Sequence, residues 1–372
     1  MGEKLRFRIA PAGHAPRTSH AARPTNTSFV RIADDPPEAT LRRLPKEHCT
    51  GARENSREGG IPVKAVRTHG RGGPEQLFFE DAPVPVARPG DVLVRVRATG
   101  ITPEELTWDE TYQNADGTPR IPGIPGHEPS GVVEQTAPDV TDFRAGDEIY
   151  GLADFPRDGA AAEFAAVHAA NLALKPRSIP HVQAAALPLS ALTAWQALFE
   201  HAHLVAGQAV LIHGGAGGVG TLAVQLARWR GAHVVATASA RDTALVRSLG
   251  ADDVIDYDAK RFEDTLRDID VVLDTIGGET RERSWRVLRK GGVLVTLVSA
   301  IPADVAEQHS VRGLFFIVGG NRSQLDQITG LVDTGKLKPV LSEVLPLARA
   351  REAFEHGAAG RAPGKIVLQV SA

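Results

Sequence analysis

Val210-Leu211-Ile212-His213-Gly214-Gly215-Ala216-Gly217-Gly218-Val219-Gly220 is the stretch on which the reading of this chain turns. An apolar run of strand length feeds into a glycine cluster in which Gly215, Gly217 and Gly220 take the three positions of G-x-G-x-x-G, with Ala216, Gly218 and Val219 between them. Beyond it Val219, Leu222, Ala223, Leu226 and Ala227 recur at the spacing of one helix face, and His233-Val234-Val235-Ala236-Thr237 returns to a strand. A dinucleotide pyrophosphate needs this order. It must approach bare backbone N–H groups at a helix N-terminus, where side chains would block it and the helix dipole favours negative charge. Glycine-rich loops also make plain turns, and here the strand before and the helix after favour the dinucleotide.

In NAD-binding versions of the motif a carboxylate about 20 residues further on takes the ribose hydroxyls. This chain has Ser239 there, with Arg241 close behind. A hydroxyl and a guanidinium suit a 2′-phosphate, with no anion at that point to repel it, so NADP(H) is the expected cofactor. The alternative is that Arg241 and Asp242 merely begin the next helix, with Asp242 accepting from the ribose.

The chain has 372 residues and a net charge of −3, which bounds it to an ordinary globular protein of about two domains and gives no reason to expect nucleic acid. Apolar runs such as Val293–Val298 are far short of the roughly 20 residues a bilayer span takes, so no membrane span is expected. Cys49 is the single cysteine, which excludes an intrachain disulfide and a multi-cysteine metal site and fits a cytoplasmic location. Residues 1–62 are rich in Arg and Pro without apolar periodicity and are expected to be disordered, or to lie outside the native protein. Met1 is the only methionine, Val63 is a candidate GTG start, and Arg57-Glu58-Gly59-Gly60 is what a purine-rich ribosome-binding site encodes when read through.

From Val63 the pattern becomes short strands: Val92–Ala98, Gly131–Glu134, Ala145–Tyr150 and Ala162–Val167. Ile179–Phe199 reads as helix and leads into the glycine-loop strand. After it come a helix Arg241–Leu249, strands Asp253–Asp256 and Asp270–Asp274, a helix through Ser284–Leu288, strands Gly292–Val298 and Leu314–Val318, and a helix from Ser323 to Thr334. Continuous apolar strands alternating with helices specify a parallel sheet covered on both faces. The tail, with a helix around Ala348–His356 and a strand Lys365–Val370, is expected to rejoin the β-rich part.

Pro125-Gly126-His127-Glu128-Pro129-Ser130-Gly131-Val132-Val133, Ala185–Trp195, Gly214–Gly220, Gly250–Tyr257 and Asp274-Thr275-Ile276-Gly277-Gly278 occur together and in order. In these segments, over Val63 to the end, the chain resembles the medium-chain dehydrogenase/reductase superfamily, in its zinc-independent quinone oxidoreductase-like branch. The resemblance implies an α/β protein with a GroES-like β-rich catalytic domain, residues 63–187 and 338–372, and a Rossmann doubly wound parallel-sheet domain, residues 188–337, that binds NADP. It also implies that Thr193, Ser239, Arg241, Tyr257 and the strand end Leu297-Val298-Ser299 line the cofactor, with Phe316-Ile317-Val318 near the nicotinamide. Tyr257 read by itself is equally a half-buried loop aromatic. A homodimer is implied as well.

Zinc-using members of the superfamily have a Cys where this chain has Thr102, then a His-Glu pair, then a second Cys. Only His127-Glu128 is present here, short of the three protein ligands that catalytic zinc takes, so no metal is expected and His127 is read as a structural or pocket residue. Without a Lewis acid, the easy reaction is hydride transfer from NADPH to an acceptor already poor in electrons, a quinone or the β-carbon of an enone. Thr102 and Tyr112 are the candidate catalytic residues on the pocket loop, since related enoyl reductases use a Tyr in this region as proton donor. Tyr112 is equally a surface aromatic, and Trp108 is either a wall for a flat substrate or a packing residue. Two rivals stand beside this reading: an alcohol or aldehyde dehydrogenase of the same superfamily with a metal site completed from elsewhere, and a non-catalytic NADPH-binding sensor or structural protein.

Overall fold

The computed structural model describes residues 62–360 and 362–371, so the expectations for residues 1–61, including their place in the native protein, lie outside the described residues. The first described strands, β1 (Val63–Thr68) and β2 (Leu77–Ala82), form an antiparallel hairpin. They are followed by β3 (Asp91–Gly100), β4 (Glu128–Thr136), β5 (Glu148–Gly151), β6 (Phe164–His168) and β7 (Leu172–Leu174). The glycine-loop region contributes β8 (Ala209–Ile212), β9 (His233–Ala238), β10 (Asp253–Asp256), β11 (Ile269–Asp274), β12 (Leu288–Thr296) and β13 (Arg312–Phe315). The tail adds β14 (Leu341–Pro346) and β15 (Lys365–Gln369).

β8 to β13 pair in parallel in the order β10-β9-β8-β11-β12-β13, the doubly wound arrangement in which the glycine-loop strand stands at the centre of the sheet. β11 runs Ile-Asp-Val-Val-Leu-Asp and is buried along nearly its whole length, as a strand covered on both faces must be. The second sheet, of seven strands, runs β14-β15-β3-β4-β5-β7, with β6 also on β3. β15 lies antiparallel on β3 through Val367–Gly100, Leu368–Thr99 and Gln369–Ala98, so the tail rejoins the sheet formed by β3 to β7. One buried cluster runs from Tyr150 and Leu152 on the side of the second sheet to Val234 of the first sheet and to Leu222 and Leu325 on helices that cover it, and the Tyr150 hydroxyl donates to the Leu325 carbonyl at 2.9 Å across that junction.

Several element bounds differ from the sequence reading. The helix expected over Ile179–Phe199 is α1 (His181–Ala184) and α2 (Pro188–Trp195) followed by a π-turn over Gln196–His201, because Pro188 has no N–H to continue a helix and instead starts one. His181–His201 as a whole is long and apolar enough to cross a bilayer by length and composition, which the search for continuous apolar runs missed, yet most of it is buried inside the molecule. The helix expected from Arg241 begins as a single 3₁₀ turn and continues from Thr243. The one expected through Ser284–Leu288 ends at Ser284, and Leu288 already belongs to β12. The strand expected over Leu314–Val318 stops at Phe315. The Gln196 side chain takes the backbone of Gly319, donating to its carbonyl at 2.9 Å and accepting from its N–H at 3.2 Å, and this turns the chain away from the sheet.

α3 (Gly218–Arg230) starts at the glycine loop with Gly217 as N-cap and ends at Gly231 in the left-handed region, φ +85°. A Cβ on Gly220 would collide with the Gly214 carbonyl oxygen, which is how closely α3 packs on β8; one on Gly217 would meet only that same oxygen, at 3.3 Å. Gly220→Ala is therefore expected to cost about 3 kcal/mol of stability and Gly217→Ala no more than about 1 kcal/mol, read from chemical denaturation midpoints.

Candidate active site

The first turn of α3 carries no acidic residue, and its leading N–H groups have no intrahelical acceptors, so the glycine loop presents donors and a favourable dipole at one point. At the ends of β9 and β10 beside it the structure brings together Ser239, Arg241 and Tyr257. The Tyr257 N–H donates to the Ala238 carbonyl at 3.3 Å, and its ring is 57% exposed, open to stacking rather than packed as a half-buried loop aromatic. One expectation is corrected here. An anion does stand at this point, since the Asp242 carboxylate accepts from the Ser239 hydroxyl at 2.6 Å and from Arg241 Nε at 3.3 Å. The Arg241 guanidinium is 59% exposed and stays available.

The other expected cofactor residues are placed unevenly. Leu297 and Ser299 sit at the end of β12, where Arg281 Nη1 donates to the Ser299 hydroxyl at 2.9 Å. Val318 lines a cavity of about 460 Å³ together with Leu152–Arg157, Gly319 and Gly320. Phe316 instead packs on His201, ring centroids 4.4 Å apart. Thr193 is buried in α2 and its hydroxyl donates to the Leu189 carbonyl at 2.6 Å, so its proton is engaged inside its own helix.

Facing the loop is a buried polar cluster that sequence reasoning saw only in part. Glu128, at the head of β4, accepts from the Leu189 N–H at 3.0 Å, which caps the start of α2, and pairs with the Lys365 ammonium from β15. Burial pushes the Glu128 carboxyl up, and Lys365 and the helix N–H groups pull it back. Lys365 also donates to the Thr102 hydroxyl at 3.1 Å, and its chain passes so close to Gly218 that a Cβ there would lie 3.0 Å from Lys365 Cδ. Gly364 N–H donates to the Ala216 carbonyl at 2.9 Å, a second tie between β15 and the glycine loop.

Next to this ion pair lie His127 and Glu105, both almost fully buried, with Nε2 and Oε2 3.4 Å apart. Burial raises the Glu105 carboxyl to about 7 and lowers His127 to about 3, helped there by Arg120. Below neutrality the two therefore face each other as an uncharged acid and an uncharged imidazole, not as an ion pair. Trp108 stacks on the imidazole at 6.2 Å and Phe155 meets it edge-on at 5.1 Å, so Trp108 and Phe155 build an aromatic slot. Tyr112 does not join them. It is buried, its hydroxyl donates to the Leu106 carbonyl at 2.7 Å, and Arg71 covers its ring, which makes it a brace of the loop rather than the proton donor or surface aromatic expected. Among the described residues no group of three or more His, Cys, Asp or Glu is arranged to hold a metal ion.

Residues 88–177 match the alcohol dehydrogenase GroES-like domain family and residues 249–368 the zinc-binding dehydrogenase family. The 2-methylene-furan-3-one reductase of Solanum lycopersicum is 34% identical over 339 residues, covering 88% of this chain and 84% of that protein. The chain belongs to the medium-chain dehydrogenase/reductase superfamily, in its quinone oxidoreductase-like branch. The NADPH-dependent alkenal/one oxidoreductase of Arabidopsis thaliana is 35% identical over 308 residues, covering 80% of this chain and 77% of that one. The solved quinone oxidoreductase from Coxiella burnetii superposes with a TM-score of 0.77 at 31% identity, covering 83% of this chain and 99% of its own.

Glu105, Lys365 and Phe155 are the residues of this medium-chain reductase that sequence reasoning missed. The available signal was a lysine heading the otherwise apolar strand Lys365-Ile366-Val367-Leu368. Lys365→Met strands a buried carboxylate at Glu128 and is expected to cost about 3–5 kcal/mol, read by urea unfolding, whereas the double change with Glu128→Met recovers a large part of that loss.

Proposed function

We propose that this chain is an NADPH-dependent reductase of quinones or α,β-unsaturated carbonyls, working without zinc. The observation that carries this is the Lys365 ammonium. It lies 3.1 Å from Thr102, at the position where zinc-using relatives have their first Cys, and is paired with Glu128. A second cation beside it would be repelled, and among the described residues no three His, Cys, Asp or Glu side chains around His127 are arranged to hold a metal ion. No step is therefore assigned to a metal.

The dinucleotide fits the cradle. The first turn of α3 and the open Gly217 would take the pyrophosphate, Ser239 and Arg241 a 2′-phosphate, Tyr257 the adenine face, and Leu297, Ser299 and Val318 the nicotinamide side. When bound, the reduced nicotinamide supplies a hydride to the acceptor. The chain's own residues bind and orient: the cavity beside Val318 and the rings of Phe155 and Trp108 suit a flat conjugated molecule, and their apolar faces exclude water from the reacting carbon. An acceptor of this kind is already electron-poor, which is what a site without a Lewis acid requires. The names of the Arabidopsis and tomato relatives agree with this substrate class.

A homodimer is the proposed assembly. β13 is an edge of the parallel sheet, and Phe315, Ile317 and Val298 around it are exposed, as a strand edge awaiting a second copy would be. The cytoplasm is the proposed compartment, on the single Cys49 alone.

Chelator-treated protein is expected to consume NADPH with quinones or enones and to turn over poorly with NADH. In Arg241→Ala the KM for NADPH should rise about 10- to 100-fold while that for NADH stays unchanged. Loss of activity on chelation, restored by zinc, would sink the metal-free reading.

A further inference from the structure

Six buried side-chain polar atoms among the described residues have no hydrogen-bond partner, and four of them belong to Glu105, Arg120 and His127: Oε1, Nε, Nδ1 and Nε2. Such atoms are costly and rare, and the fold satisfies comparable groups elsewhere. His213, equally buried, has Nδ1 3.1 Å from the Thr237 hydroxyl and Nε2 2.9 Å from that of Ser284. His127 has neither. Its Nε2 looks at Glu105 across 3.4 Å, too long for a good bond, and its Nδ1 has nothing. Glu105 is fixed by the Gly126 N–H, which donates to its Oε2 at 2.9 Å. Phe155, whose edge meets the imidazole, also lines the 460 Å³ cavity that Val318 shares, so a single half-buried ring separates His127 from the proposed acceptor.

We infer that His127 is the catalytic proton donor to the reduced acceptor and that Glu105 is the positioning residue that resupplies it. The inference rests on the proposed reductase function. After hydride addition the acceptor is an enolate or a hydroquinone anion, and Phe155 swings aside to bring its basic atom to Nδ1. The Nδ1–H bond breaks and the proton goes to that atom. The Glu105 carboxyl proton passes to Nε2, leaving a carboxylate and a neutral imidazole. A solvent proton then enters at Nδ1 while the Nε2 proton returns to Glu105, which restores the starting pair, so that each turnover consumes one hydride and one solvent proton. Arg120 from the loop before β4, Lys365 from β15 and Glu128 from β4 are the charged groups facing the pair, and Lys365 stabilises the carboxylate formed in the step.

The buried acid, raised to about 7, must be protonated to act, so activity should fall as pH rises through that region. The test compares wild-type protein, His127→Asn and Glu105→Gln in steady-state assays with NADPH and an enone, with NADPH binding followed by fluorescence. His127→Asn should lose about 100-fold in kcat with KM and NADPH affinity within about twofold of wild type. Glu105→Gln should lose about 10-fold and show a kcat that no longer falls between about pH 6 and 8. Wild-type turnover matched within twofold by His127→Asn, or an alkaline limb that persists in Glu105→Gln, would overturn the assignment while leaving the reductase reading intact. Wild-type protein that binds NADPH and oxidises it with no acceptor would overturn both. If His127→Asn does not bind NADPH, the pH profile of Glu105→Gln decides by the same criterion.

Discussion

The buried pair of Glu128 and Lys365 is the constraint on which the rest of the molecule depends. Each charge alone would be expelled from the interior, and together they hold because the helix N-terminus at Leu189 and the Thr102 hydroxyl satisfy what the pair leaves over. One end belongs to the central strand pair of the β-rich sheet and the other to the last strand of the chain, while the capped helix α2 leads directly to the glycine-loop strand. A single electrostatic contact thus ties two strands of the β-rich sheet to the helix that precedes the glycine-loop strand.

Consequences follow on both sides of that contact. A side chain at Gly218 would press on the lysine stem, since its Cβ would lie 3.0 Å from Lys365 Cδ. Gly364 reaches the Ala216 carbonyl from the same strand, so the dinucleotide cradle is held by the end of the chain as much as by its own strand and helix. The cavity next to Val318 and Phe155 opens between loops of the two sheets. The Lys365 cation is engaged by Glu128 and Thr102.

What was legible in the sequence was what is local. The glycine loop, its strand and its helix follow from neighbours within a few residues, and the parallel sheet follows from runs such as Val271-Val272-Leu273 that only burial on both faces explains. Pairings across the chain were not legible: Glu128 with Lys365, and His127 with Glu105, are brought together by strand order. Tyr112 misled for the same reason. It lies on the loop between β3 and β4, and the carbonyl of Leu106 that takes its hydroxyl is set by how that loop folds on itself. The strand predicted through Val318 failed because apolarity alone cannot register that Gln196 claims the backbone of Gly319. Asp242 was visible as a neighbour of Arg241, yet only the turn geometry shows its carboxylate drawn onto Ser239.

The measurement that bears most directly on the central claim is the fate of the transferred hydride. NADPH carrying deuterium at its transferable position would be incubated with chelator-treated protein and an enone, and the product analysed by NMR. Deuterium on the β-carbon of a saturated ketone is the predicted result, since conjugate addition needs no metal to polarise the carbonyl. Deuterium on the carbonyl carbon of an allylic alcohol would contradict it and would place the chain with the alcohol dehydrogenases in chemistry as well as in fold.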